Sequence, residues 1–492
     1  MARYQHTLSH EHKLTCDMGQ LIPLATMEVL PGDTFIHNTN LLARVAPLVN
    51  PVMHTVQLRV HHWFVPNRIL WDGWEDWRVG KSDEDKPQIQ IPDGNDDEYK
   101  LLDHMGLPPA EGASIDALPV RAYNRIWNEY YRDQDLSVER TPDQLGVARI
   151  SWEKDYFTTA RAYPQQGDPV NIPFAAGTRA PVHGIGIDTT QSAGNENNLH
   201  ETGGETRDMI SWKTVTGDTG IGNVTNTYIE EDPAHPDFPG IYADLSEAEG
   251  AGIDINDLRL AMALQTFGEV RARFGSRYVD YLRYLGVNPG TSRLERPEYL
   301  GGGASDIAFS EVLSMAETQN NEVGDMFGHG IAGLRTRRYR RNFPEDGWML
   351  SLLSARPRTV YMDGIDRKFT RFDPMDHWNQ ELEVLPWQEV KETEVHHEGD
   401  ADTVFGYVPK YDEYRHENSY VSGTFRNGPE IDWHMAREFN DPPTLNESFI
   451  TCDPTDRIYG DTQMPELLIN ATHQIRAARL VRSTAKIGEV FG

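Results

Sequence analysis

Apolar and polar residues alternate over Gln57-Leu58-Arg59-Val60-His61-His62-Trp63-Phe64-Val65. That period predicts a strand with Leu58, Val60, His62 and Phe64 on one face and Gln57, Arg59, His61 and Trp63 on the other, stopped by Pro66. The same extended reading suits Thr403 to Pro409 and Ser419 to Arg426, both rich in Val, Tyr, Phe and Thr and bounded by turn formers. Helical spacing appears first in Ile69 to Val79, where Leu70, Trp74 and Trp77 share a side and Gly73 weakens the pattern. It returns in Val120 to Arg132 behind Pro119, as a stripe of Val120, Tyr123, Trp127, Tyr130 and Tyr131. The longest helical run is Asp257 to Phe274, with Leu260, Ala263, Leu264, Phe267, Val270 and Phe274 on one face, continued by Arg277 to Leu285. Strands are therefore expected to dominate the first and last thirds, with helices in the connections between them.

Gly184 to Gly252 breaks this pattern, being dense in Gly, Thr, Asn, Asp and Glu. A disordered linker is one reading. Spaced Ile210, Trp212, Val215, Ile221, Val224, Tyr228 and Ile229 favour an exposed, turn-rich insertion. No fixed-period repeat is present, so solenoids and propellers lose support.

Composition narrows the class. The 492 residues carry 46 Lys+Arg against 76 Asp+Glu, a formal charge of -30, with 38% hydrophobic and 10% aromatic residues. Such a chain can bury a large core, and wholesale disorder is not expected. No stretch approaches the roughly 18 apolar residues of a membrane-spanning helix, and the polar start Met1-Ala2-Arg3-Tyr4-Gln5-His6 has no export-type apolar region. The only cysteines, Cys16 and Cys452, make neither a disulfide framework nor a CxxC site, which fits a reducing cytoplasm. The acidic balance argues against a simple nucleic-acid-coating protein, although a local basic patch is compatible with it.

Motifs for catalysis are weak. Gly80-Lys81-Ser82 ends like a phosphate loop, but Glu75 stands where that loop needs glycine. Asp93, Asn95 and Asp97 open like a calcium loop, yet Glu98 replaces the turn glycine and His104 the closing carboxylate, leaving a solvated acidic turn. His61-His62 and His396-His397 are adjacent, so on a strand each pair points to opposite faces and cannot chelate together. Neither a G-x-S-x-G elbow nor a cysteine-nucleophile signature occurs. Trp71, Trp74 and Trp77 suit core packing better than a saccharide platform, and no feature selects a carboxylate pair for glycan hydrolysis. No metal site and no cofactor is expected.

Basic residues cluster twice. In Arg335-Thr336-Arg337-Arg338-Tyr339-Arg340-Arg341 the arginines suit phosphate contacts and Tyr339 suits stacking on an unpaired base, the alternative being a charge-compensating subunit contact. The second cluster, Arg476, Arg479, Arg482 and Lys486, suits a tail docked on an acidic neighbouring subunit, or DNA.

Several long segments, in order, resemble one family. They are Ser9-His10, Gly19-Gln20-Leu21-Ile22-Pro23, Glu28 to Phe35, Val65-Pro66-Asn67-Arg68-Ile69-Leu70-Trp71-Asp72, Asn124 to Gln134, Asp155 to Ala160, Arg277 to Leu282, Arg296-Pro297-Glu298-Tyr299-Leu300-Gly301-Gly302-Gly303, and Phe405 to Arg415. The chain is similar to the major capsid proteins of Microviridae, small tailless phages with circular single-stranded DNA, and looks nearest their gokushovirus-like branch.

This resemblance implies a mainly β fold, an eight-stranded antiparallel viral jelly roll with long, partly helical interstrand insertions. Residues 1–183 and 253–492 would form the capsid domain and residues 184–252 a surface insertion, a protrusion at the threefold axis that acts in host attachment. It implies a non-enzymatic structural protein that assembles through pentamers into a sixty-copy T=1 shell around single-stranded DNA. Expected partners are a small basic DNA-packaging protein, a DNA pilot protein, an internal scaffolding protein during assembly and a host surface receptor. The expected location is the virion capsid, assembled in the host cytoplasm. The insertion is highly acidic and has its own sequence, and Lys486 to Gly492 follows the family's ending only loosely. A carbohydrate-active β-sandwich enzyme or lectin is the competing class.

Overall fold

The computed structural model describes residues 3–163, 255–275, 277–286, 295–314 and 326–482, with four two-residue strands at 182–183, 186–187, 199–200 and 242–243. Two compact units divide the chain, one formed by Met1–Pro164 with Arg271–Gly492 and the other by Gln165–Val270. The expected insertion, 184–252, lies almost wholly outside the described residues.

The first unit is built on thirteen principal strands. They are β1 (Tyr4–Thr7), β2 (His10–Cys16), β3 (Leu21–Val29), β4 (Thr34–Val45), β5 (Val56–Pro66), β6 (Glu298–Asp306), β7 (Ala308–Leu313), β8 (Met326–Arg335), β9 (Tyr339–Asn342), β10 (Gly347–Pro357), β11 (Trp387–Lys391), β12 (Val404–Pro409) and β13 (Leu467–Arg479). A seven-stranded sheet runs β1-β13-β4-β8-β7, with β9 also on β4 and β2 on β13. A four-stranded sheet runs β6-β5-β10-β3, and β11 pairs with β12 separately. Every pairing among these strands is antiparallel. The longest joins β13 to β4 from Leu467 opposite Val45 to Ala478 opposite Thr34, so the chain's two ends meet in one sheet.

The sheets pack face to face as a β-sandwich. Leu41, Ala43, Val45, Ile469 and Ala471 of one meet Ile22, Leu24, Leu58, Val60 and Leu353 of the other in a single buried cluster. The four-stranded sheet is covered outside as well. Helix α3 (Leu118–Tyr130), which follows α1 (Trp74–Arg78) and α2 (Tyr99–His104), lays Leu118, Ala122, Tyr123 and Ile126 on Leu21, Val65, Leu350 and Leu352. Burial on both faces explains the nearly unbroken apolar runs in β3 and β10. By contrast, β4, β8 and β13 alternate buried with exposed residues, because among the described residues of the first unit no element covers the outer face of the seven-stranded sheet. Glycine permits one close approach: a Cβ at Gly302 would lie 2.2 Å from the Val60 carbonyl oxygen.

Several local expectations change. The strand over Gln57–Val65 and the helix over Val120–Arg132 form with their faces as read. The helix expected at Ile69–Val79 splits into a 3-10 turn at Asn67–Ile69 and α1, and Trp71, Trp74 and Trp77 are only half-buried. Ser419 to Arg426 is not a strand, since Tyr420 makes a lone bridge and Thr424–Asn427 turns helically after Gly423 at φ 68°. The last third is not strand-dominated: residues 358–466 hold only β11 and β12 among short helical turns and loops, where Asp, Asn, Gly and Pro interrupt alternation. His396 and His397 follow a helical turn rather than a strand, with rings stacked at 4.9 Å. The helices α4 (Ile255–Phe274) and α5 (Tyr278–Tyr284) form as read, but Leu260, Leu264 and Phe267 are exposed.

Candidate nucleic-acid interface

Residues directly opposite in an antiparallel pair share a face, so the register of the uncovered sheet decides which charges meet. Arg340 of β9 lies opposite Ile36 of β4, and Arg476 of β13 lies opposite Ile36 from the other side. Residues from the two basic clusters thus flank one position, two strand spacings or about 10 Å apart. Arg335 lies opposite Asn40, which also faces Thr472, and Arg338 Nε donates to Asn38 Oδ1 at 3.5 Å. Asn38 donates in turn to Gln474 Oε1 at 3.3 Å.

Two further cations join this face that the sequence clusters did not include. Arg44 lies opposite Ile331 and Leu468, and Lys13 opposite Asn470. Their signal is strand alternation, which puts Arg44 in step with Ile36, Asn38, Asn40 and Leu42. Glu11 is the acidic residue facing the same way from β2, and it is paired to Lys13 at 3.1 Å. The result is an arginine and amide surface on a strongly acidic chain, suited to phosphate oxygens.

The remaining expected residues lie elsewhere. Tyr339 points between the sheets, where its ring packs on His37 and His62 and its hydroxyl shares a 3.1 Å hydrogen bond with His37 Nδ1. Burial raises its pKa, and the ring is not presented for stacking on a base. Arg341 pairs with Glu298 of β6 at 2.7 Å. Arg337 is exposed in the β8–β9 connection, with its backbone N–H donating to the Gly302 carbonyl at 3.1 Å. Arg479 is held internally, 2.9 Å from the buried Asp33 carboxylate and 5.3 Å from the Phe35 ring centre. Burial nonetheless raises the Asp33 pKa, the guanidinium opposing it. Arg482 is exposed at the end of the described residues, and Lys486 lies outside them.

Behind the basic face sits a buried histidine layer. His37 Nε2 lies 3.4 Å from His473 Nδ1, Thr39 Oγ1 bridges both rings, and His62 is held by Ser351 and Thr336. Burial first, and neighbouring imidazoles second, push His37 down to about 2, His62 to about 3 and His473 to about 4. These rings are neutral at physiological pH, so the charge of the face comes from its outward arginines and lysine.

Other candidates resolve into structure. His61 and His62 point to opposite faces, towards Tyr131 and Ser351. Asn95 folds back on Asp93 in a local turn. Trp71 and Trp74 pack against the helix-side core while Lys86 lies over Trp74 and Trp77. Burial raises both cysteine thiols, Cys452 to about 12, which suppresses thiolate chemistry. Among the described residues no cluster of His, Cys, Asp and Glu is placed to hold a metal ion.

Comparison with known proteins agrees with the segment resemblance. Residues 1–487 match the family described as capsid protein (F protein). The capsid protein VP1 of Chlamydia phage 1 is 31% identical, covering 96% of this chain and 93% of that protein. The VP1 of Bdellovibrio phage phiMH2K is 32% identical over 89% and 86%, and that of Spiroplasma virus 4 is 27% identical over 94% and 91%. The similarity thus spans nearly the whole chain.

Proposed function

Because this chain belongs to the capsid protein (F protein) family and is a structural capsid protein of the Microviridae kind, we propose that it forms a T=1 shell around single-stranded DNA, with the basic face of its seven-stranded sheet turned towards the genome. The carbohydrate-active alternative has no support in the match. The observation that carries the proposal is the convergence of Arg335, Arg338, Arg340 and Arg476, with Lys13 and Arg44, on one uncovered sheet face of a chain whose net charge is -30. An acidic shell protein repels an anionic strand at long range, and a concentrated basic face gives that strand a local counter-charge. The sandwich would correspond to the eight-stranded jelly roll of the resemblance, and sixty copies would close the shell through pentamers.

The remaining counter-charge would come from cations and a small basic packaging protein, with a pilot protein and an internal scaffolding protein as further partners in the host cytoplasm. Residues 184–252 would face outward and serve attachment to a host receptor. The exposed Arg337 and Arg482 would add secondary contacts, whereas Arg341 and Arg479 are engaged by Glu298 and Asp33.

The test is charge reversal of R338E, R340E and R476E together, followed by electron microscopy and nucleic-acid quantification of the particles. Closed shells with reduced or unstable genome content are expected. Normal genome content and stability in those shells would overturn the assignment of this face. Deleting residues 184–252 should spare shells and reduce adsorption, and loss of assembly would instead make that segment a structural clamp.

A further inference from the structure

The outer side of the four-stranded sheet holds a second basic feature, remote in sequence from the clusters above. Where α3 ends, β5 and β10 floor a cavity of about 550 Å³ with Arg59, His61, Ser354 and Arg356, and Tyr130 and Tyr131 line its wall. Ser354 lies opposite Arg59 and Gln57 opposite Arg356, so the two guanidinium side chains are diagonal neighbours on one face.

Charge pairing inside this cavity is uneven. Lys154 and Arg161 are engaged by Asp133, and Arg161 also by Asp135 at 3.2 Å. Arg356 donates to the Ser151 carbonyl at 3.0 Å and meets the mostly exposed Glu153 only at 3.9 Å. Arg59 donates to the neutral Gln57 side chain, with no carboxylate at ion-pair distance among the described residues. The neighbouring His61 shares a 2.7 Å hydrogen bond with the Tyr131 hydroxyl. Burial, then Arg59 and Arg356, lower its pKa to about 4, so it adds no charge of its own near neutral pH. Arg356 is itself lowered, by burial first and with Arg59 contributing. Two partly buried, mutually repelling guanidinium groups thus floor a space large enough for more than a simple anion.

We propose that this cavity binds a nucleoside phosphate, its phosphate between Arg59 and Arg356 and its base beside Tyr130 and Tyr131. Planar guanidinium groups match phosphate oxygens. Tyr130 already packs on Trp63 at 4.2 Å with Arg296 over its ring at 5.2 Å, so ring contact to a base falls mainly to Tyr131 on the same wall. The ligand is either a free nucleotide or one residue of single-stranded DNA. The second source rests on the capsid reading, whereas the phosphate preference rests on the cavity alone.

The experiment is calorimetric titration of the full-length protein with dAMP, inorganic phosphate, deoxyadenosine and a short single-stranded oligonucleotide. Saturable dAMP binding is expected, stronger than phosphate or deoxyadenosine, and weakened about tenfold or more in R59Q/R356Q. R338Q/R340Q/R476Q should leave dAMP binding unchanged. If the oligonucleotide also loses affinity in R59Q/R356Q, the source is single-stranded DNA; if only dAMP does, the source is free nucleotide, and either result upholds the site. Absence of dAMP binding to the wild-type protein at millimolar concentration would overturn the proposal. So would equal affinity in a folded R59Q/R356Q. R59K and R356K keep the charge while removing the planar fork, and serve if the double variant does not fold; undiminished binding in both would likewise overturn the phosphate contact. Shell formation is read separately, so its failure leaves this titration interpretable.

Discussion

Acidification should destabilise the sandwich through the histidines buried between its sheets. In the unfolded chain His37, His62 and His473 titrate near 6.5, whereas burial and mutual proximity hold them at about 2, 3 and 4 in the fold. Above pH 6.5 the rings are neutral in both states and the shift contributes nothing. As pH falls below 6.5, the unfolded chain takes up protons that the native one refuses, so stability is lost down to the folded values. Each ring then removes about 1.4 kcal/mol per pH unit, and three together about 4 kcal/mol per unit. That is a large fraction of the roughly 5–15 kcal/mol that holds a domain folded. His54 and His61, each lowered to about 4, act in the same direction. Urea denaturation of dissociated protein between about pH 7.5 and 5.5, at fixed ionic strength, measures the slope. The unfolded rings are on average about half protonated across that window, so H37Q/H473Q should reduce the mean slope by about 1.4 kcal/mol per pH unit. An unchanged slope in that variant, or a flat wild-type profile, would refute the argument.

Three further outcomes follow from the same packing. Glu466 is raised to about 7 by burial, with Asp17 also contributing, so native protein binds its proton first and stability falls as pH rises from 4.5 to 7. E466Q should therefore stabilise the protein at about pH 8, by roughly 1–2 kcal/mol in thermal unfolding, while still accepting from the Met18 N–H. Y339F strands His37 Nδ1 and should cost about 1–2 kcal/mol of stability while leaving oligonucleotide affinity unchanged, because that ring lies inside. A loss of affinity without a loss of stability would put Tyr339 on the DNA. F343A removes a fully buried ring packed on Phe35 and Phe64 and should cost about 3–5 kcal/mol by denaturant titration.

Residue order alone sets the elements whose period is local. Alternation over Gln57–Val65 fixed both faces of β5, and the aromatic stripe fixed α3, because a half-buried strand and an amphipathic helix write their exposure directly into residue order. Family membership was equally legible, since its segments retain their order over nearly the whole chain. Where loops are held by side-chain hydrogen bonds and turns, as in residues 358–466, no period exists to read, and the extended reading of Ser419–Arg426 failed there. The basic face, by contrast, exists only through long-range strand pairing. Pairing β4 with both β9 and β13 sets Arg340 and Arg476 around Ile36, and the same register turns Tyr339 inward to His37. It also sorts arginines that composition treats alike, committing Arg479 to Asp33 while recruiting Arg44 and Lys13 to the open face. Strand register is a non-local property, fixed by which faces are buried against which, and a basic residue takes its role from the side of the sheet on which that register leaves it.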